Sequence, residues 1–230
     1  MLNAQTFLEG WTASGPPHAR LDRLLRRVNP VPPLGSESLD QDSLGQRNQR
    51  LLALHGATGA GPLEAVAPCP ACAAPNEFAL PAERLLTLPT PQADAAVEVD
   101  GRRFRLPRMA DLLSPDPRPL SEQCLEGASS ASDATVAQAG LLFDQLDPAA
   151  DIELDLVCDG CGAAYRASLD VAGHVAAALD RLMARLYRDI DQIARAYGWN
   201  ETAITALPAE RRARYVAMIQ ARGAAREALR

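Results

Sequence analysis

The chain contains no lysine: all 23 of its basic residues are arginine, set against 29 acidic residues for a net charge of −6. We read the missing lysine as the codon bias of a GC-rich genome. The acidic balance makes a poor default for a nucleic-acid binder, because phosphate contacts supply most of that affinity. Aromatics are scarce as well, at 4%. Much of the 47% hydrophobic content is alanine, which buries little area per residue, so the core expected from 230 residues is thin. Long apolar runs are missing, with no stretch near the roughly 18 residues a membrane span needs. The first eleven residues lack a basic segment followed by a long apolar one, so no export signal is expected. Phosphate loops, nucleophile elbows and zinc-protease motifs are absent too. The expectation is a soluble, non-enzymatic protein of the bacterial cytoplasm.

What is present divides into three stretches. Residues 18–28 carry Leu21, Leu24, Leu25 and Val28 on one helical face, and the helix should stop in Asn29-Pro30-Val31-Pro32-Pro33. A second helix should start at Ser43, whose spacing to Gln46 is that of a capping box. Leu51, Leu52 and Leu54 form its apolar side, Gly56 is a plausible C′ residue, and residues 56–61 read as a loop. The middle of the chain turns to strand signals at residues 77–80, 96–99 and 102–106, with Asp100-Gly101 as a tight hairpin turn. A short helical piece is expected over 109–113, an irregular proline-rich stretch over 114–119, and a small, polar, mobile loop over 126–132. A helix is expected over 133–146. Residues 152–157 alternate as a strand and 164–169 return. The longest element runs over 171–197, with Leu179, Leu182, Leu186, Ile190, Ile193 and Tyr197 at steps of three and four and Met183 beside them. Arg181, Arg185, Arg188, Asp191 and Arg195 fall on the other side. Gly198 ends this helix, Asn200 caps a short one, and Pro208 suits the first turn of a final helix with Tyr215, Val216 and Ile219 inward.

The distinctive chemistry lies in Cys69-Pro70-Ala71-Cys72 and Cys158-Asp159-Gly160-Cys161-Gly162. A two-residue gap lets two thiolates on one tight turn reach a single ion, and two such knuckles complete a tetrahedral shell. The odd cysteine count in a chain without an export signal also favours thiolates over a disulfide framework. Structural Zn2+ held by Cys69, Cys72, Cys158 and Cys161 is the expected outcome. Iron, redox use of a C-x-x-C pair, and plain buried thiols stay open as alternatives. The 85 residues between the pairs exceed the usual spacing of a zinc ribbon.

Cys124 stands apart from both knuckles and reads as an ordinary thiol, although use of it, or of a knuckle, as a redox thiol is the enzyme alternative. His18, His55 and His174 are scattered and read as surface or packing residues. Asp189 and Asp191 sit at the wrong spacing for one helix face. From residue 208 onward six arginines face two glutamates, a local excess of +4. The cluster Arg211, Arg212, Arg214 is either a solvated face or a docking site for an acidic partner, with nucleic acid a weaker option.

The string Ile193-Ala194-Arg195-Ala196-Tyr197-Gly198-Trp199-Asn200-Glu201, followed by Ile204, Leu207, Arg211-Arg212 and Tyr215, resembles a signature of the baseplate hub assembly proteins of contractile-tailed phages and extracellular contractile injection systems. Arg47-Asn48-x-x-Leu51-Leu52, the first knuckle followed by Glu77-Phe78, Phe104-Arg105-Leu106-Pro107 leading to Asp111-Leu112-Leu113, and the second knuckle before the long helix extend the resemblance over residues 43–220. The second knuckle reads Cys-Asp-Gly-Cys where proline would be typical. The resemblance implies an assembly chaperone or minor component of a tail baseplate, particle-associated, whose partners are baseplate or tail proteins and not membranes. Tyr197, Trp199, Arg211, Arg212 and Tyr215 are the expected partner-binding residues, since aromatics and arginine dominate hot spots. Packing of Trp199 and Tyr215 between two helices is the alternative. The expected fold is α+β: N-terminal helices over residues 1–60, a zinc-ribbon-like β module with an inserted helical segment over 61–170, and a C-terminal helical hairpin over 171–230. A zinc-ribbon nucleic-acid or transcription-associated module is the second functional expectation, disfavoured by charge.

Overall fold

A computed structural model describes residues 3–11, 14–28, 39–127 and 130–227. The expected helix stop at residues 29–33 and part of the 126–132 loop lie outside them. In chain order the elements are α1 (Ala4–Trp11), α2 (Pro17–Val28), a 3-10 turn (Leu39–Gln41), α3 (Leu44–Ala57), β1 (Leu63–Pro68), β2 (Pro75–Leu80), α4 (Ala82–Leu85), β3 (Ala96–Val99) and β4 (Arg102–Arg105). They continue with α5 (Met109–Leu112), α6 (Leu120–Gln123), α7 (Asp133–Leu146), β5 (Glu153–Val157), β6 (Ala164–Ser168), α8 (Val171–Tyr197), α9 (Glu201–Thr205) and α10 (Ala209–Glu227). The fold is α+β, and its described strands form three separate two-stranded antiparallel sheets, β1–β2, β3–β4 and β5–β6.

The chain forms two compact units, one from residues 1–30 and 176–230, the other from residues 31–175. This cuts the helical N-terminal stretch in two, for a reason visible in its side chains. Helix α2 buries only leucines, Leu21, Leu24 and Leu25, and needs a helical apolar face to cover them. Helix α3 buries amide side chains as well as Leu51, Leu52 and Leu54. Gln46 Nε2 donates to the Pro91 carbonyl at 2.9 Å and Asn48 Nδ2 to Ala149 at 2.9 Å, which satisfies loop carbonyls, and Gln49 Nε2 donates to Leu85 at the end of α4 at 3.0 Å.

In the 31–175 unit, the capping box at Ser43 and Gln46 forms as its spacing predicts. The helix runs past Gly56 to Ala57, however, and the left-handed residue that follows is Gly59, at φ 67°. Glycine is required at a different place, Gly45. A Cβ there would lie 1.8 Å from Asp147 Oδ1, because the buried Asp147 carboxylate closes on the α3 N-terminus and accepts the Gly45 N–H at 3.0 Å. Asp100 and Gly101, at φ 51° and 70°, make the expected turn between β3 and β4. Val97, Phe104, Leu106, Cys124, Ala139 and Phe143 then pack as one core cluster, joining that hairpin to α7.

In the other unit the α8 stripe is buried at Leu179, Met183, Leu186, Ile190 and Ile193, together with Phe7, Leu8 and Trp11 of α1, the leucines of α2, and Ile204 of α9. Asp180 on α8 accepts the Trp11 indole N–H at 2.8 Å and pairs with Arg20, whose guanidinium lies 4.0 Å over the Trp11 ring. None of the described helices is long and apolar enough to cross a membrane.

Candidate metal centre

Each cysteine knuckle is the turn of a hairpin: residues 69–74 connect β1 to β2, and residues 158–163 connect β5 to β6. The two turns repeat one hydrogen-bond pattern. In the first, Ala73 N–H donates to the Cys69 carbonyl at 2.8 Å and Cys69 N–H to Ala74 at 2.9 Å. In the second, Gly162 N–H donates to Cys158 at 2.8 Å and Cys158 N–H to Ala163 at 2.9 Å. The residue after the second cysteine is left-handed in both, Ala73 at φ 59° and Gly162 at φ 74°.

This shared geometry turns the four sulfurs toward one point. Cys69 Sγ and Cys161 Sγ are 3.8 Å apart, Cys72 Sγ and Cys158 Sγ 3.6 Å, and all four ligand atoms lie within 4.8 Å of one another. A tetrahedron with metal–sulfur bonds of about 2.3 Å has edges of about 3.8 Å, so the spacing fits a tetrathiolate zinc site; a disulfide would bring two sulfurs to about 2 Å. Cys69 and Cys158 are buried, while Cys72 and Cys161 are exposed.

The electrostatics point the same way. The Cys161 backbone N–H, with that of Gly160, outweighs burial and pulls the Cys158 thiol down to about 6. At Cys72 the Ala74 N–H favours the thiolate, but the crowding Cys161 and Cys158 sulfurs prevail and push it up to about 12. Four thiolates at this separation repel one another, and a divalent cation reverses that balance.

Comparison with family models, curated proteins and solved structures gives no match. The centre therefore stands on its own geometry, and that geometry includes residues with no motif to announce them. Asn76, buried in β2, ties the two knuckles together: its Oδ1 accepts the Asp159 N–H at 2.9 Å, while its Nδ2 donates to the Ala74 carbonyl at 3.1 Å and faces Cys158 Sγ at 3.7 Å. Tyr165 of β6 donates its hydroxyl to the Ala67 carbonyl of β1 at 3.1 Å. Gly160 leaves room for the sulfurs, since a Cβ there would sit 3.4 Å from Ala74 Cβ and 3.7 Å from Cys158 Sγ. The available signal was Asn76 itself, because asparagine is depleted in strands.

Away from the metal centre, Cys124 is wholly buried, and burial pushes its thiol up to about 12. Arg105 beside it makes a bidentate pair with Asp111, both contacts at 2.6 Å. His55 is buried, with Nε2 2.8 Å from the Gly61 carbonyl. Among the expected partner-binding residues, Tyr197, Trp199 and Tyr215 meet as a half-buried triad with ring centroids 5.1–5.5 Å apart. Arg211 is exposed. Arg212 is buried, with Nη1 donating to the Leu207 carbonyl and with burial lowering its pKa despite the nearby Asp189. Its side chain serves α10 from within, so Arg211 is the arginine of this pair that faces solvent.

Proposed function

We propose that this protein is a non-enzymatic assembly factor or minor structural component of a contractile-tail or injection-system baseplate, held in shape by one structural zinc ion in a zinc-ribbon-like pair of hairpins. The observation that carries the metal reading is the convergence of four cysteine sulfurs from two knuckles within 4.8 Å. Four protein thiolates fill a tetrahedral shell and leave no coordination position for a substrate, which suits a structural ion better than a catalytic one. Support for the tail reading comes from the sequence resemblance. Tyr197, Trp199 and Tyr215, which carry that resemblance, are neighbours and partly exposed, as binding anchors are.

Two experiments separate the halves. Elemental analysis of protein purified without chelators should give one zinc per chain, lost in a Cys69→Ser, Cys161→Ser variant with a lower melting temperature; iron, or no metal, refutes the zinc reading. Deleting the gene in the source bacterium or phage should abolish complete contractile particles in electron micrographs, and a Trp199→Ala, Tyr215→Ala copy should fail to restore them. Normal particles from the deletion strain would refute the tail reading and leave the metal reading intact.

A further inference from the structure

The net charge of −6 conceals opposite charges on the two units. The unit of residues 1–30 and 176–230 holds 14 arginines and 8 acidic residues, a net +6, and the unit of residues 31–175 a net −12. On the first, the positive charge is ordered. Arg181, Arg185, Arg188 and Arg195 are all exposed and fall within about 80° of one another around α8, a stripe about 21 Å long at 1.5 Å per residue. Arg195 is paired with Asp191 at 2.8 Å, whereas Arg181, Arg185 and Arg188 form no salt bridge among the described residues, although Asp189 lies near enough to Arg185 and Arg188 to feel their charge. Tyr187, 45% exposed, lies on the flank of the same helix, about 100° or more around it from those three arginines. Arginine and tyrosine are enriched at protein interfaces, where lysine is depleted.

A complementary surface exists on the other unit. The outer face of the β1–β2 hairpin carries Glu64 opposite Ala79 and Val66 opposite Glu77. Glu64 and Glu77 are therefore diagonal neighbours, with Cα atoms about 7–8 Å apart. Val66 beside them is 58% exposed, and no basic residue lies in either strand. On the equivalent face of the β5–β6 hairpin, Arg166 already pairs with Glu153 and Asp155 at 3.1 Å each. The Cα spacing of Glu64 and Glu77 falls between that of arginines one turn apart, about 6 Å, and that of Arg181 and Arg188, about 10 Å.

We propose that the Arg181–Arg185–Arg188 face of α8 docks the Glu64–Val66–Glu77 face of a second copy of this chain. The contact is head to tail, so each copy offers both halves and assembly continues as an open chain or closes as a ring. Nucleic acid is the less suitable occupant, because Asp191 borders the basic face beside Arg195 and any bound polyanion would share the molecule with a unit of net −12. The inference is independent of the tail reading.

The test is sedimentation velocity of the full zinc-loaded chain at about 10 mM and about 1 M salt, between which the Debye length falls from about 30 Å to about 3 Å. Concentration-dependent oligomers at low salt, reverting to monomer at high salt, are expected. An Arg181→Glu, Arg185→Glu, Arg188→Glu variant and a Glu64→Arg, Glu77→Arg variant should each self-associate at least tenfold more weakly while keeping the wild-type circular dichroism. Mixed together, the two hold one intact face each and should associate in equal proportion, as neither does alone. Wild type that is monomeric at low salt, variants that associate like wild type, or mixed variants that fail to pair would each overturn the proposal. So would a monomeric wild type that binds a short DNA duplex through the same arginines.

Discussion

The matched turns of the two knuckles allow a reciprocal substitution with opposite expected signs. Ala73 and Gly162 occupy the same left-handed position, but only one of them is a glycine. A non-glycine residue held there costs about 1–2 kcal/mol, and glycine carries about 0.5–1 kcal/mol of extra backbone entropy that folding must remove. Ala73→Gly should therefore stabilise the 31–175 unit by about 0.5–1 kcal/mol, with no loss of packing because Ala73 is exposed. Gly162→Ala should cost about the same, and wholly through the backbone, since an added Cβ would meet no heavy atom within 4 Å. Combining the two should return the stability close to wild type. The assay is urea unfolding followed by zinc release to a chromogenic chelator. Both tryptophans, Trp11 and Trp199, lie in the other unit, so their fluorescence supplies an internal control that should not move. A shift of 1 kcal/mol corresponds to about 2–4 °C in melting temperature for a chain of this size. If Ala73→Gly lowers the zinc-release midpoint, or Gly162→Ala leaves it unchanged, the equivalence of the knuckles is refuted.

Asn76→Ala removes the bridge between the knuckles and should weaken zinc binding about 10–100-fold in chelator competition, as outer-shell losses do at metal sites. An Asn76→Ala variant with wild-type affinity would show the bridge to be incidental. Gly45→Ala drives a methyl group into Asp147 and should destabilise the unit, while Asp147→Ala in the same chain should relieve part of that loss, a non-additive pair in a double-mutant cycle. Additive effects would mean that the clash is not what Gly45 avoids. Cys124, held protonated by burial up to about 12, keeps its proton in the folded chain above the pH at which the unfolded thiol loses it. Its contribution to stability is therefore complete below about pH 8.5 and lost as pH rises from there toward 12. Wild type should lose stability across that interval more steeply than Cys124→Ala, and equal slopes in denaturant titrations would refute this.

The cluster of four cysteines was legible because a C-x-x-C knuckle is a local device. Two residues of separation state the chemistry whatever lies between the pairs, and a shell of four needs both. The α8 stripe was legible for a similar reason, its 3.6-residue period recurring over 27 residues. Strand β1 was not. Leu63, Ala65 and Ala67 face inward in strict alternation, but two of the three are alanine, which is a weak strand former and gives alternation little contrast. Helix α1 spans only eight residues, too few to be stable alone. It exists because Phe7, Leu8 and Trp11 are buried by the rest of its unit. Asn76 and Tyr165 act across 83 and 98 residues, so their roles exist only once the hairpins have met. Gly45 was misleading by silence: nothing near it in sequence shows that Asp147 will arrive at its Cβ position.

The distance between the knuckles shows what a bound metal would add to such a chain. An isolated two-stranded hairpin is at best marginal in water, and β1–β2 and β5–β6 are both two-stranded. Joining them means closing a loop of almost 90 residues. On the relation used for cross-links, that closure costs the unfolded chain about 4.5 kcal/mol of entropy. The direct bonds between the hairpins, Asn76 to Asp159 and Tyr165 to Ala67, contribute about 1 kcal/mol each, and part of the closure is already made where α3 bonds Asp147 and Ala149. A structural zinc ion held by all four cysteines would fasten the two turns directly, because its binding free energy counts as folding free energy. The intervening segment meanwhile has its own core around Phe104 and Phe143, so it does not need the ion to gather its side chains. Removing zinc should therefore separate the hairpins while the Phe104 cluster persists.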